Sequence, residues 1–456
     1  MNAGLPPLGW LGIARLGLVQ AMLGAVVVLT TSTLNRVMVV ELALPALLPG
    51  LLVALHHAVQ LSRPRMGYGS DVGGRRTPWI VGGLVTLALG GFGAALAVHL
   101  MATDPGVGIA LAVLAFALVG IGVSAGGTSL LVLLAKRVDE PRRGAAAATV
   151  WVMMIIGFAV TAGLAGRWLD PYTPARLLAV SGSVSVVAVV VTLLALWGLE
   201  GDGRGKAPAA SARTDFRAAL REVWAEPAAR RFTVFVFFSM LAYSTQDLIL
   251  EPFAGAVFGF TPGASTQLSG VQHGGSLAGM LLAALAGRRV AGVRLGSLRA
   301  WTVAGCLASG LALLGLVAGA ALAPAWPLRV NVFLLGVANG AFSIAAIGSM
   351  MSLAGGSAPA GTTAPREGTR MGLWGAAQAI GFALGGLFGA VASDIARWLT
   401  GSQAQGYAAV FALEALMFVG AAALAARIAG PHARAPDEEE HRPGRPAAAL
   451  PAGGTP

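Results

Sequence analysis

Runs of about twenty apolar residues recur along the whole chain, and a run of that length is what a bilayer core about 30 Å thick demands of a helix. Twelve such spans can be placed, near 12–34, 42–61, 78–100, 107–134, 145–166, 176–198, 232–250, 264–286, 298–322, 328–353, 371–393 and 407–429. Backbone polar groups find no water inside lipid, so spans of this kind satisfy them internally as helices. The expected fold is therefore an all-α polytopic membrane protein with twelve transmembrane helices. Only 11% of the 456 residues are charged and the mean hydropathy is +0.75, a balance that sets aside a soluble globular domain.

An even number of spans returns both termini to one side. All but five of the 31 Lys and Arg residues lie in the tails, at the chain's entry into the first span, or in the loops that follow even-numbered spans. The five on the other side are Arg36, Arg167, Arg176, Arg329 and Arg397. By the positive-inside rule both termini are expected in the cytoplasm. The same distribution accounts for the net charge of +11 without a nucleic-acid partner. Cys306 is the single cysteine and sits in an apolar run, which leaves no material for a disulfide framework or a thiolate metal site. The first span runs on into more membrane and lacks a convincing cleavage site, so it is expected to be retained. There is no G-x-x-x-x-G-K-[ST] loop, no H-E-x-x-H and no nucleophile elbow; an enzyme is not expected.

The chain divides into an N-terminal six-helix half (1–199), a linker (200–231), a C-terminal six-helix half (232–429) and a Pro-, Ala- and Gly-rich tail (430–456) expected to be disordered. Within the linker, Phe216, Leu220, Val223 and Trp224 share one helical face after a capping Thr214 or Asp215, which predicts a short helix along the membrane interface. Short echoes tie the halves together. Ser32 to Asn35 reads STLN and Ser244 to Asp247 reads STQD, with Glu41 and Glu251 following. IGFA occurs at Ile156 to Ala159 and again at Ile380 to Ala383, and His56 and His57 in span 2 answer His273 in span 8. Each echo pairs one helix with the helix six further on, the mark of a repeated half. Gly381, Gly385 and Gly389 in span 11, and Gly120, Gly122, Gly126 and Gly127 in span 4, are read as close-packing positions, with a sliding gate between the halves as the alternative.

The polar stretch from Arg63 to Pro78, RPRMGYGSDVGGRRTP, lies between spans 2 and 3. Its glycines allow a tight turn, Asp71 is suited to cap a helix N-terminus, and the arginines belong at the interface. Gly67, Asp71, Gly74, Arg75 and Arg76 follow a G-x-x-x-D-x-x-G-R-R spacing that resembles the helix 2–3 loop of the major facilitator superfamily. The second copy, at Gly287 to Arg294, keeps bases but has no Asp. The resemblance implies two six-helix halves in a facilitator-like arrangement.

Ionisable groups inside spans are costly unless paired, hydrated or used. Asn35, Arg36 and Glu41 after span 1, and Gln246, Asp247 and Glu251 near the end of span 7, form a candidate outer polar site, with Pro252 expected to end the turn. Interfacial ion pairs and caps are one reading, an entry site for a polar headgroup or partner helix the other. Glu414 stands in span 12, expected to be peripheral. His56, His57 and His273 lie in apolar helices beside small residues. Helix-bonded imidazoles are one reading, and axial ligation of a pigment magnesium is the other. His56 and His57 point about 100° apart, so at most one of them faces a given pocket.

LTTSTLNRVMVVELALPALLPG, RPRMGYGSDVGGRRTPWIVGG and STQDLILEPFAGAVFGFTPGASTQLSGVQHGG together resemble the PucC/LhaA family of phototrophic bacteria, which is related to the major facilitators. The resemblance covers about residues 10–430. It implies assembly of light-harvesting antenna complexes in the intracytoplasmic photosynthetic membrane, with antenna polypeptides as partners. Bacteriochlorophyll or carotenoid would be transient cargo, delivered or shielded, and no resident cofactor is expected. The alternative is a facilitator-type secondary transporter of a pigment or other small molecule. Span centres almost free of Asp, Glu, Lys and Arg favour the assembly reading.

Overall fold

The computed structural model describes residues 7–62, 75–139, 142–200, 221, 224–286, 296–354 and 367–427, all of whose regular structure is helical. Twelve rods follow one another: α1 Trp10–Glu41, α2 Leu47–Ser62, α3 Thr77–Met101, α4 Pro105–Arg137, α5 Arg143–Leu169, α6 Pro174–Leu196, α7 Pro227–Phe258, α8 Pro262–Ala286, α9 Leu298–Leu322, α10 Leu328–Ala354, α11 Glu367–Thr400 and α12 Gln403–Ala426. Ten of them are long and apolar enough to cross a membrane. Of the other two, α2 is shorter, and α8 is interrupted by Ser265, Thr266, Gln267, Ser269, Gln272 and His273.

Helix starts are written locally. Asp104, Thr173, Ser297 and Ser402 each accept a backbone N–H three residues on and so cap α4, α6, α9 and α12. Proline stands in the first turn of α3, α4, α6 and α7, where no intrahelical N–H is lost. The start of α3 is capped differently: the Glu200 carboxylate, at the end of α6, accepts from the backbone N–H groups of Arg76 and of Thr77 (2.7 Å). Arg76 is buried and Arg75 exposed. Gly67, Asp71 and Gly74, and the linker residues Thr214, Asp215, Phe216 and Leu220, lie outside the described residues, as does the tail from 430.

Packing repeats between the halves. In the first, α1 packs on α5 and α6, α3 on α4 and α6, and α2 on α4. In the second, α7 packs on α11 and α12, α9 on α10 and α12, and α8 on α10. Two large seams join the halves, α2 against α11 and α5 against α8, and each is the other's counterpart under the same repeat. Gly381, Gly385 and Gly389 fit this scheme as packing positions. A Cβ on any of them would crowd the α7 carbonyls of Phe237, Leu241 and Thr245, so they seat α11 on α7 within one half, away from either seam.

Two helices outrun the spans expected of them. α1 continues past residue 34 through π-helical turns at Leu29–Thr33 and Val37–Glu41. α7 passes through Pro252 to Phe258, so Pro252 lies inside the helix and does not end it. Proline is tolerated at that depth because a neighbouring helix satisfies the carbonyl it frees. Pro252 has no N–H for the Leu248 carbonyl, and Asn35 Nδ2 donates to that oxygen at 2.6 Å instead. The bond crosses from one half to the other.

Candidate functional site

The two seams carry the polar and aromatic groups that distinguish this bundle from a plain apolar one. At the end away from the termini, Arg36 is buried in α1 and reaches over Gly255 to the turn between α7 and α8. It donates to the Phe260 carbonyl at 2.7 Å and pairs with the Glu41 carboxylate. Tyr172, in the α5–α6 turn, stands in the field of the same pair. Partial burial first, and Glu41 second, hold its phenol above the ordinary value of 10.0, so it stays neutral. One turn deeper in α1, the buried hydroxyls of Thr33 and Thr266 meet at 3.0 Å, linking α1 to α8.

Each seam is also closed at this end by an aspartate. Asp394 in α11 accepts from the backbone N–H groups of Ala46 (3.2 Å) and Leu47 (2.8 Å), the start of α2, and is held in turn by Arg397. Asp170, at the end of α5, accepts from the Thr261 hydroxyl (2.9 Å), and that hydroxyl caps α8 through the Ala264 N–H (3.1 Å). Asp170 and Asp394 are separated by the same interval as the two IGFA segments, so they are repeat counterparts. Neither was singled out from the sequence. A carboxylate beside a loop looks like any solvated surface group, and the interval was the signal available.

Midway along the seams the echoes meet each other. The IGFA phenylalanine of each half lies against a histidine of the other: Phe382 stacks on His57 (ring centroids 5.9 Å apart, 22° between planes), and Phe158 lies tilted on His273 (4.9 Å, 42°). Thus His57, and not His56, faces the α2–α11 seam. His56 is buried in α2, close to α4, where Gly120 approaches its carbonyl, and its Nε2 is 2.8 Å from Gln60 Nε2. Gln60 also reaches His57 Nδ1 at 3.4 Å.

His273 has no counterpart of that amide. The residue three further on is Ser276, whose hydroxyl donates to the Gln272 carbonyl of its own helix (3.1 Å). The His273 ring is partly exposed, and its buried Nδ1 has no hydrogen-bond partner. A Cβ on Gly274, next in the chain, would meet nothing within 4 Å, whereas Gly270 is packed against the Gly163 backbone of α5 and Gly275 against the Phe333 carbonyl of α10.

Of the remaining residues of the expected outer polar site, Glu251 lies one helical turn from Gly255, on the side that Arg36 reaches. Glu251 is buried and accepts from the Ser269 hydroxyl of α8 at 2.6 Å. Gln246, buried, and Asp247, partly exposed, lie deeper in α7. Glu414, expected on a peripheral helix, is fully buried, because α12 is covered by α7, α9 and α11.

Comparison with known proteins follows from this geometry. A match to the family described as PUCC protein spans residues 33–433. The chain belongs to that family. It is 54% identical over 424 residues to a Rhodobacter capsulatus protein named bacteriochlorophyll synthase 44.5 kDa chain, covering 92% of this chain and 95% of that one. It is 30% identical over 438 residues to Protein PucC of Rhodobacter capsulatus, covering 91% of each. Among solved structures, a D-xylose–proton symporter superposes with a TM-score of 0.69 at 16% identity, covering 92% of this chain and 97% of that one. A bacterial Spinster homologue in its inward-facing, unoccupied conformation gives 0.65 at 16% identity, covering 91% and 95%. The multi-pass, facilitator-like architecture expected from the sequence is thus the observed one.

Proposed function

We propose that this PUCC-family protein assists assembly of a bacterial light-harvesting complex by holding bacteriochlorophyll at the seam between its halves while antenna helices are inserted. The observation that carries the reading is His273, an imidazole whose Nδ1 has no hydrogen-bond partner, set against the Phe158 ring with the open side of Gly274 beside it. A chlorophyll magnesium already has four ring nitrogens and takes one axial ligand, for which neutral imidazole is suited. One axial bond plus dispersion along the macrocycle holds a pigment and still releases it, whereas a closed cage of ligands does not. His56 and His57, engaged with Gln60, serve as packing in this reading.

The name of the Rhodobacter capsulatus relative, bacteriochlorophyll synthase 44.5 kDa chain, supports the cargo class. The word synthase in that name does not require catalysis here. The seam offers a binding imidazole and aromatic faces, groups that hold a pigment without transforming it. In this reading the protein sits in the photosynthetic inner membrane, and the Lys and Arg bias of its loops supports cytoplasmic termini. The test is the absorption spectrum of protein purified from a pigment-making phototroph. Co-purifying bacteriochlorophyll in a fixed ratio supports the proposal. A colourless protein that moves a small solute in proteoliposomes, or that turns a pigment precursor over, overturns it in favour of transport or catalysis.

A further inference from the structure

The contact between α7 and α12, remote from both seams, contains a second site that the pigment reading does not use. Phe253 of α7 touches the rings of Tyr407 and Phe411 of α12, centroids 5.7 and 5.0 Å away, each edge-on. The two helices run antiparallel. Two helical turns from Phe253 toward the end bearing the termini lies Gln246, and two turns from Tyr407 in the same direction lies Glu414, each about 10 Å along its axis. Both side chains are fully buried. Neither oxygen of Glu414 and neither amide atom of Gln246 has a hydrogen-bond partner.

Charge makes this arrangement informative. No ion pair to Glu414 is present among the described residues. Titratable groups on the packed elements near this level are Tyr243, Asp247 and Glu251 on α7, Cys306 on α9 and Tyr407 on α12 itself, with Asp394 and Arg397 turned to the start of α2 at the far end of α11. Asp247, the residue after Gln246 on α7, has the same sign. An ionised carboxylate in such a setting gives up its hydration, gains no cation and has another acid on the helix packed against it, a costly combination. The neutral acid avoids all three. It would also suit the carboxamide at its depth, as an O–H donor for Gln246 Oε1 and an acceptor for Gln246 Nε2.

We infer that Glu414 is a membrane-embedded proton-binding site: its carboxyl holds a proton at neutral pH and is partnered by Gln246. Any rearrangement that parts α12 from α7 and wets this contact then releases the proton. This links a shape change of the C-terminal half to proton uptake and release.

The test is infrared spectroscopy of the full chain in lipid nanodiscs at neutral pH, reading the carbonyl stretch of protonated carboxyls and its shift in D2O. A band lost in Glu414→Gln, moved in Glu414→Asp and retained in Asp247→Asn is the expected result. A band unchanged by Glu414→Gln, lost instead in Asp247→Asn, or appearing only when Na+ and K+ are withdrawn overturns the inference. In the last case a metal cation occupies the place of the proton. Should Glu414→Gln fail to fold, the wild-type protein decides. Dicyclohexylcarbodiimide attacks protonated carboxyls in apolar surroundings, so adduct on Glu414 supports the site. Unmodified Glu414 together with no protonated-carboxyl band refutes it.

Discussion

The α2–α11 and α5–α8 seams occupy equivalent places in a repeated fold, yet they are finished with different chemistry. In the first, Asp394 caps two backbone N–H groups of α2 directly and Arg397 holds it in place. In the second, the first residue of α8 is Pro262, which has no N–H to offer, so Asp170 takes the hydroxyl of Thr261 instead. The same divergence recurs at the histidines. Gln60 ties down the imidazoles of α2, while its counterpart Ser276 bonds within its own helix and leaves His273 uncommitted. One seam thus has its facing histidine tied through Gln60, and the other leaves the Nδ1 of its facing histidine without a hydrogen-bond partner. Duplicated frameworks differ at the positions where one copy has been given work.

The largest break in this scheme is expected from Arg36→Ala, which removes the buried cation bridging α1 to the α7–α8 turn. A hydrogen bond from a charged group contributes about 1.5–3 kcal/mol, and the loss also leaves Glu41 without its cation. Thermal denaturation in detergent should show the steepest fall for this variant, with Arg36→Lys recovering part of it. A midpoint equal to wild type would mean that the two halves are not held through this residue.

Smaller effects separate the aspartates. Asp394→Ala removes a cap on two N–H groups and should cost about 1–2 kcal/mol, whereas Asp170→Ala leaves Thr261 capping Ala264 and should cost under about 1 kcal/mol. The measurement is the same denaturation midpoint, taken side by side at equal detergent concentration. Equal losses, or a larger loss for Asp170→Ala, would show that the α5–α8 seam is braced as firmly as its counterpart.

Much of the framework was legible in the sequence because it depends on length and periodicity. Apolar runs gave twelve helices, and the STLN, STQD, IGFA and histidine echoes gave the two-half division. What remained hidden depends on register between helices. Nothing in IGFA says that its phenylalanine meets a histidine of the opposite half, and nothing near Phe253 says that its ring meets Tyr407 and Phe411 of α12. Pro252 shows the same limit from the other side. Read locally it ends a helix, but Asn35, more than two hundred residues earlier, supplies the hydrogen bond that lets α7 continue. The Arg63 to Pro78 motif was the strongest sequence signal for the superfamily. Of its matched residues, only Arg75 and Arg76 fall among the described residues.

The contrast between a committed and an uncommitted histidine is the centre of this account, and pigment retention measures it directly. His57→Phe and His273→Phe both keep apolar bulk and remove an imidazole, so packing changes alike at the two seams. Bacteriochlorophyll per purified protein should stay near the wild-type ratio in His57→Phe and fall about tenfold in His273→Phe, which corresponds to roughly 1.4 kcal/mol of lost binding. Equal retention in the two variants, or a loss confined to His57→Phe, would contradict it.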